Sequence, residues 1–231
     1  KEEILFKIKN NLIEAVRKRI KNTDRPIACL LSGGLDSSLI VGIVVSLLKE
    51  MNDPRRLETY SIGLKNSVDL KYAKIVADHL NTKHTEVEVT DDELFNVIQD
   101  VINHLESYDT TTVRATAGNY LVAKYISEQS EAKVILNGDG SDELLGGYMY
   151  FHKCPSSQKY DDECKRLLEN IYKFDVLRSD KSMGAHGLEA RTPYLDINFT
   201  RSYLSLSKNS RYFVSDDNSI EKQLLREAFD S

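Results

Sequence analysis

The sequence has little of what marks the unusual protein classes. With eleven glycines and four prolines in 231 residues it is neither collagen-like nor a low-complexity tail. At 41% apolar and 29% charged residues it is not a charge-driven disordered chain. Three cysteines cannot make a framework of paired bridges. Cys29 falls in an apolar stretch and reads as a core thiol, while Cys154 and Cys164 stand too far apart for a C-x-x-C motif. That usage points to a reducing compartment, and the chain is expected in the cytoplasm. The five histidines (His79, His84, His104, His152 and His186) show no H-E-x-x-H or other metal spacing. The longest apolar run, Leu39 to Leu48, is broken by Gly42 and Ser46 and is about half the length that crosses a bilayer, so no membrane partner is expected. Positive charge is not in excess either. The 31 basic and 36 acidic residues give −5, which argues against a broad nucleic-acid-binding surface.

What is present is an alternation of two periodicities. Residues 1–20 carry Ile4, Ile8, Leu12, Ala15, Val16 and Ile20 at helical spacing. Ile27 to Leu31 is a short apolar run ending in Ser32-Gly33-Gly34, and a helix is expected from Ser37 to Glu50. Strands follow at 57–62, 84–89 and 133–136, with helices at 69–80, 92–106 and 115–129. This alternation predicts an α/β fold with a parallel sheet and helices on both faces. Beyond residue 150 the strand signals stop, so the last third is expected to be helical, over 160–186 and 218–229. No linker or internal repeat divides the chain, and 1–231 is read as one domain.

Two loops carry chemistry. In S-G-G-L-D-S-S (32–38), Gly33 and Gly34 permit positive φ and close approach to a ligand. Ser32, Ser37 and Ser38 supply hydroxyls, and the next helix offers free N–H groups and the positive end of its dipole. Together these suit a phosphate. The lysine of a Walker A loop is missing and Asp36 stands inside instead. A bare carboxylate would repel phosphate, but it makes sense as a ligand for Mg²⁺ that bridges phosphate oxygens. The second loop, N-G-D-G-S-D-E (137–143), packs three acids and two glycines into seven residues at another strand end. In open α/β sheets ligands bind beyond the carboxyl ends of the strands. If the two strands are neighbours, Asp36 and Asp142 face one metal–triphosphate.

These strings also carry a resemblance. S-G-G-L-D-S-S resembles the pyrophosphate loop of the N-type ATP pyrophosphatases, with an adenine nucleotide α-hydrolase-like fold. E-S-Y-D-T-T-T-V-R-A (106–115), N-G-D-G-S-D-E-L-L-G-G-Y (137–148), F-D-V-L-R-S-D (174–180) and A-H-G-L-E-A-R-T-P-Y-L-D (185–196) resemble, in that order, the synthetase domain of glutamine-hydrolysing asparagine synthetases. Phrases such as I-E-K-Q-L-L-R-E (220–227) are nearer the animal-like members. The resemblance implies a ligase that converts aspartate to asparagine with ATP, Mg²⁺ and ammonia, through β-aspartyl-AMP, releasing AMP and pyrophosphate. It implies that Ser32, Gly33, Gly34, Asp36, Ser37 and Ser38 hold pyrophosphate, that Asp36 and Asp142 hold Mg²⁺, that Leu31 and Ile62 flank the adenine, and that Gly138 lies near the nucleotide. Asp139 falls at the family's catalytic acid position. Thr111, Thr112 and Arg114 match a segment near the intermediate, Glu143, Asp175 and Arg178 match pairings around the aspartyl end, and Arg166 is a further candidate. Glu189 and Arg191 are left between a surface pair and a site pair. The glutaminase domain of the full-length protein, and the family's W-R-x-K-E-x-F-S-D-G stretch, are expected to lie outside this chain. A homodimer stays open. So do a β-lactam synthetase-like amide-forming enzyme and an ATP-binding module without catalysis.

Overall fold

A computed structural model describes residues 1–213 and 220–230. Five parallel strands form one sheet: β1 (Ile27–Leu30), β2 (Glu58–Leu64), β3 (Lys83–Val89), β4 (Val134–Leu136) and β5 (Glu189–Arg191), in the order β3-β2-β1-β4-β5. The chain winds outward from β1 to β3, then returns to place β4 on the other flank of β1. The strand order therefore reverses between β1 and β4. Cys29 pairs with Leu136 there, bringing the ends of both strands side by side.

The helices of the described residues are α1 (Glu2–Lys21), α2 (Leu35–Glu50), α3 (Val68–Leu80), α4 (Asp91–Asn96), α5 (Ile98–Leu105), α6 (Thr110–Gln129), α7 (Ser141–Leu145), α8 (Ser157–Asn170), α9 (Asp175–Gly184), α10 (Ile197–Leu204), α11 (Lys208–Arg211) and α12 (Gln223–Phe229). The period of two in the strands decides which helices each face receives. Cys29, Leu31, Val134 and Leu136 point into a cluster with α1, α2, α3, α10 and α12. Ala28, Tyr60, Val87 and Ile135 point to the opposite face, against Val122, Ala123 and Ile126 of α6 and Met183 of α9. The inner strands are covered on both faces, as a parallel sheet requires. Among the described residues no helix is long and apolar enough to cross a membrane.

The structure corrects several boundaries. The last third is not purely helical, because Glu189–Arg191 adds a fifth strand beside β4. The helix expected over 92–106 is two helices, divided at Val97, whose φ of −85° and ψ of −5° turn the chain. Thr90 caps the first through a reciprocal pair with Glu93. The next helix begins at Thr110, not 115, because the Asp109 carboxylate accepts from the Thr112 N–H at 2.8 Å. The stretch 160–186 is α8 and α9 joined by a turn at Ile171–Lys173. Within 218–229 the helix starts at Gln223, and residues 218 and 219 lie outside the described residues.

Candidate active site

The loop after β1 is shaped by its own hydroxyls. Ser32 Oγ and Ser37 Oγ are 3.0 Å apart, the Ser32 N–H donates to Ser37 Oγ at 3.1 Å, and the Gly34 N–H donates to Ser32 Oγ at 3.3 Å. Gly33 has φ +81°, and a Cβ there would come within 2.5 Å of the α3 backbone at Tyr72 and Ala73. Only glycine fits. Ser38 Oγ is buried without a hydrogen-bond partner. A buried hydroxyl left unpaired at the head of a helix is an unmet demand that an anion's oxygens would satisfy.

The loop after β4 lies directly against it. A Cβ on Gly138 would stand 3.1 Å from Asp36 Cβ and from the Ser37 N. Ser141 Oγ donates to Asp36 Oδ1 at 2.8 Å across 105 residues of sequence. Asp142 faces the other side of the same carboxylate, and Lys222 Nζ joins the two, 2.5 Å from Asp36 Oδ2 and 2.6 Å from Asp142 Oδ1. Burial pushes the Asp36 pKa upward, while the Lys222 ammonium pulls it down and Asp142 adds to the rise. Oxygen donors from two carboxylates around one cation position suit Mg²⁺, which usually takes one or two carboxylates and leaves its other positions to water and phosphate. Among the described residues no group of three or more His, Cys, Asp or Glu forms an all-protein cage.

Further along that loop the carboxylates are more deeply enclosed. Asn137 Nδ2 donates to Asp139 Oδ2 at 2.7 Å and to Ser179 Oγ at 2.6 Å, tying the loop to α9. Burial is the main cause that raises the Asp139 pKa, with Asp175 adding to the rise, against Ser179, Arg178 and Asn137. Glu143 is 3% exposed, and burial lifts its carboxyl to about 7 despite a hydrogen bond donated by the Tyr148 hydroxyl. Asp175 and Arg178 pair one turn apart on α9, and the charge of Asp175 reaches both Asp139 and Glu143. Two carboxyls with raised pKa values beside a loop of hydroxyls and free N–H groups are the kind of arrangement that acid–base chemistry uses.

The asparagine synthase family profile matches residues 7–167 and 156–231. The chain is 49% identical over 227 residues to human asparagine synthetase [glutamine-hydrolyzing] and 50% identical over 216 residues to the chicken enzyme of that name. These matches take in 96% and 94% of this chain. It belongs to the asparagine synthase family. The chain spans about 40% of the length of the human relative and 38% of the chicken one. Among solved structures, the U34-tRNA thiolase from Methanococcus maripaludis is similar with a TM-score of 0.48 and 13% identity, over 100% of this chain and 72% of that one.

Not every residue singled out by the family's motifs gathers at these two loops. Leu31 is 1% exposed within the α1–α2 face, so it offers a nucleotide only its backbone, while Ile62 packs on the opposite face. Thr112 is buried, but Thr111 and Arg114 are exposed. Arg114 lines a groove of about 650 Å³ with Phe95, Ile98 and Tyr108, and makes no hydrogen bond or ion pair to the two loops among the described residues. Arg166 is exposed and paired with Glu163 at 2.7 Å. Arg191 holds Glu189 at 2.8 Å and donates to the Arg19 carbonyl, so that pair serves the edge strand. Conversely, sequence reasoning passed over Ser141, Tyr148, Ser179 and Lys222. Ser141 and Tyr148 stand inside the 137–148 string, where a signal is available, whereas nothing in the sequence around Lys222 marks the acids that it meets in space.

Proposed function

We propose that this chain is the synthetase domain of an asparagine-forming ligase, running over 1–231, with its glutaminase domain and the W-R-x-K-E-x-F-S-D-G stretch in the rest of the protein. The aspartate side-chain carboxylate attacks the α-phosphorus of ATP, the bond to the β-phosphate oxygen breaks, and pyrophosphate leaves. Ammonia then attacks the acyl carbon of β-aspartyl-AMP, loses a proton, and expels AMP. The observation that carries this reading is the convergence of the two loops at the strand-order reversal, with Ser141 Oγ 2.8 Å from Asp36 Oδ1.

In this reading Ser32, Gly33, Gly34, Ser37 and Ser38 grip the β- and γ-phosphates through hydroxyls and N–H groups, leaving the α-phosphate open to attack. The Ser38 hydroxyl, buried and unpaired, finds its partner in that pyrophosphate. Asp36 and Asp142 hold Mg²⁺, which when bound neutralises charge on the departing pyrophosphate. The Leu31 backbone and Ile62 border the adenine, and Gly138 keeps room for the nucleotide against Asp36. Asp139 and Glu143 handle protons around the aspartyl end, where the ionised form of a carboxyl whose pKa is raised by burial can accept one from the attacking ammonia. Tyr148 and the Asp175–Arg178 pair fix their orientation, and Thr111, Thr112 and Arg114 approach the intermediate from α6. Nitrogen arrives at this chain as free ammonia. Two of its three thiols are poor nucleophiles, since burial pushes Cys29 far up and Cys164 to about 12. The three free cysteines support a reducing compartment such as the cytoplasm.

The test is mass spectrometry after mixing the chain with ATP, Mg²⁺, aspartate and ¹⁵N-ammonium. Labelled asparagine and AMP in equal amounts are expected, and amide-labelled glutamine without ammonium should give neither labelled asparagine nor glutamate. Pyrophosphate release with other carboxylates but not with aspartate would overturn the reading.

A further inference from the structure

Asp36 and Asp142 are not simply two carboxylates awaiting a metal. Their facing oxygens are already bridged by one ammonium, Lys222 Nζ, at 2.5 and 2.6 Å. The lysine side chain is 6% exposed, and its stem passes through a slot that Gly147 leaves open. A Cβ on Gly147 would overlap both the Asp142 carboxylate and Lys222 Cε. Main-chain geometry points the same way. Lys222 has φ +58°, in the left-handed region that residues with a Cβ seldom adopt. It sits at the N-cap of α12, whose Leu225 and Ala228 are buried. The helix is held by its buried face in the core and, at its N-cap, by the ammonium of the left-handed residue itself.

An ammonium and a magnesium ion compete for such a gap. Mg²⁺ binds lone pairs, taking carboxylate oxygens at about 2.0–2.1 Å, and a cation without a lone pair cannot be among its ligands. A lysine ammonium offers only donors. The gap between these two oxygens therefore accommodates one or the other. We infer that Lys222 is a resident surrogate cation, filling the position between Asp36 and Asp142 in the nucleotide-free chain, and that a divalent metal enters only by displacing it. This rests on the reading that the two aspartates hold Mg²⁺. Metal without nucleotide has to eject an ammonium that then loses both anionic partners. Metal arriving with ATP brings phosphate oxygens that can receive it. Lys222 thereby couples metal and nucleotide binding, and the coupling is reciprocal.

The probe is Mn²⁺, followed through the paramagnetic resonance signal of the free ion, with and without a non-hydrolysable ATP analogue. Wild type should bind Mn²⁺ weakly alone and tightly with the analogue. In Lys222→Met, Mn²⁺ alone should bind about tenfold more tightly, and the gain from the analogue should shrink by the same factor. That variant should also melt at a lower temperature without metal and recover with Mn²⁺, whereas the wild-type melting temperature should not respond to Mn²⁺ alone. A merely structural lysine would give the first change without the recovery. Should Lys222→Met fail to fold, Lys222→Arg serves instead. Its fork keeps both carboxylates engaged, so Mn²⁺ alone should bind several-fold more weakly than to wild type, and unchanged binding overturns the proposal. Asp36→Asn separates the two readings. If it abolishes Mn²⁺ binding while Lys222→Met binds no better than wild type, the surrogate role is wrong and the metal pair stands. If Asp36→Asn binds Mn²⁺ as wild type does, the metal pair itself is wrong.

Discussion

The loops after β1 and β4 lie side by side at the carboxyl ends of two neighbouring inner strands, yet they are made of opposite chemistry. The first is three serines, two glycines and the open N–H groups of α2, with a single acid, Asp36. The second is Asp139, Asp142 and Glu143, with a single serine, Ser141. The odd residue of each loop belongs to the other: the Ser141 hydroxyl is committed to the Asp36 carboxylate. In the proposed reading one loop holds an anion and the other moves protons, and this exchange stitches the two together. A phosphate held among bare carboxylates would be repelled, whereas burial is what raises the proton affinity of Asp139 and Glu143. Keeping the sets on separate strands lets each have its own surroundings.

The sharpest way to break this contrast is Asp36→Asn, which removes the only acid of the anion loop. Pyrophosphate release should fall by about two to three orders of magnitude with the circular dichroism spectrum unchanged. Activity retained with the same magnesium requirement would erase the distinction drawn for that residue. Next in size is Asp139→Asn on the proton-handling side. Turnover should drop about 100-fold while the KM for ATP moves by less than about threefold. A large KM change with turnover intact would mean that the second loop binds nucleotide instead.

Glu143 sharpens the comparison through pH. Its native carboxyl sits at about 7 against an ordinary 4.5, so the folded chain holds that proton more tightly than the unfolded one. The associated stability is fully present below about 4.5 and is lost as pH rises through about 7. Urea unfolding of wild type and Glu143→Gln at pH 4.5 and pH 8 should show wild type losing about 3 kcal/mol relative to the variant across that interval. Parallel curves would show that the environment of Glu143 is not the one described. The smallest effect belongs to Ser38→Ala. With no hydrogen bond to lose, stability should shift by less than about 0.5 kcal/mol, while the KM for ATP rises several-fold.

Four of the five strands were legible because apolar runs such as Ile27–Leu30 and Val134–Leu136 end in glycine turns. The fifth was not. Glu189-Ala190-Arg191 is three residues at a sheet edge, two of them charged, with no apolar alternation to betray it. Its pairing is decided by β4 alongside, which local sequence does not contain. The break at Val97 was equally hidden, since apolar residues at helical spacing continue through it to Val101 and Leu105. At the site, the glycines and acids were legible because they cluster within seven residues. Lys222 was not, because what gives it a role is its distance from Asp36 in space, and 186 residues separate them in sequence.

That separation bears on how the molecule comes to be folded. The central pairing of β1 with β4 closes a loop of more than one hundred residues, and the Lys222 contact closes a longer one still. Contacts so distant in sequence form late and slowly, after α2 and α3 have had time to settle on their own. A partly folded chain can thus present a finished S-G-G-L-D-S-S loop while the acids that would act on its ligand are still absent. In the proposed reading a chain held at that stage could bind a phosphate but would lack the acids that act on it.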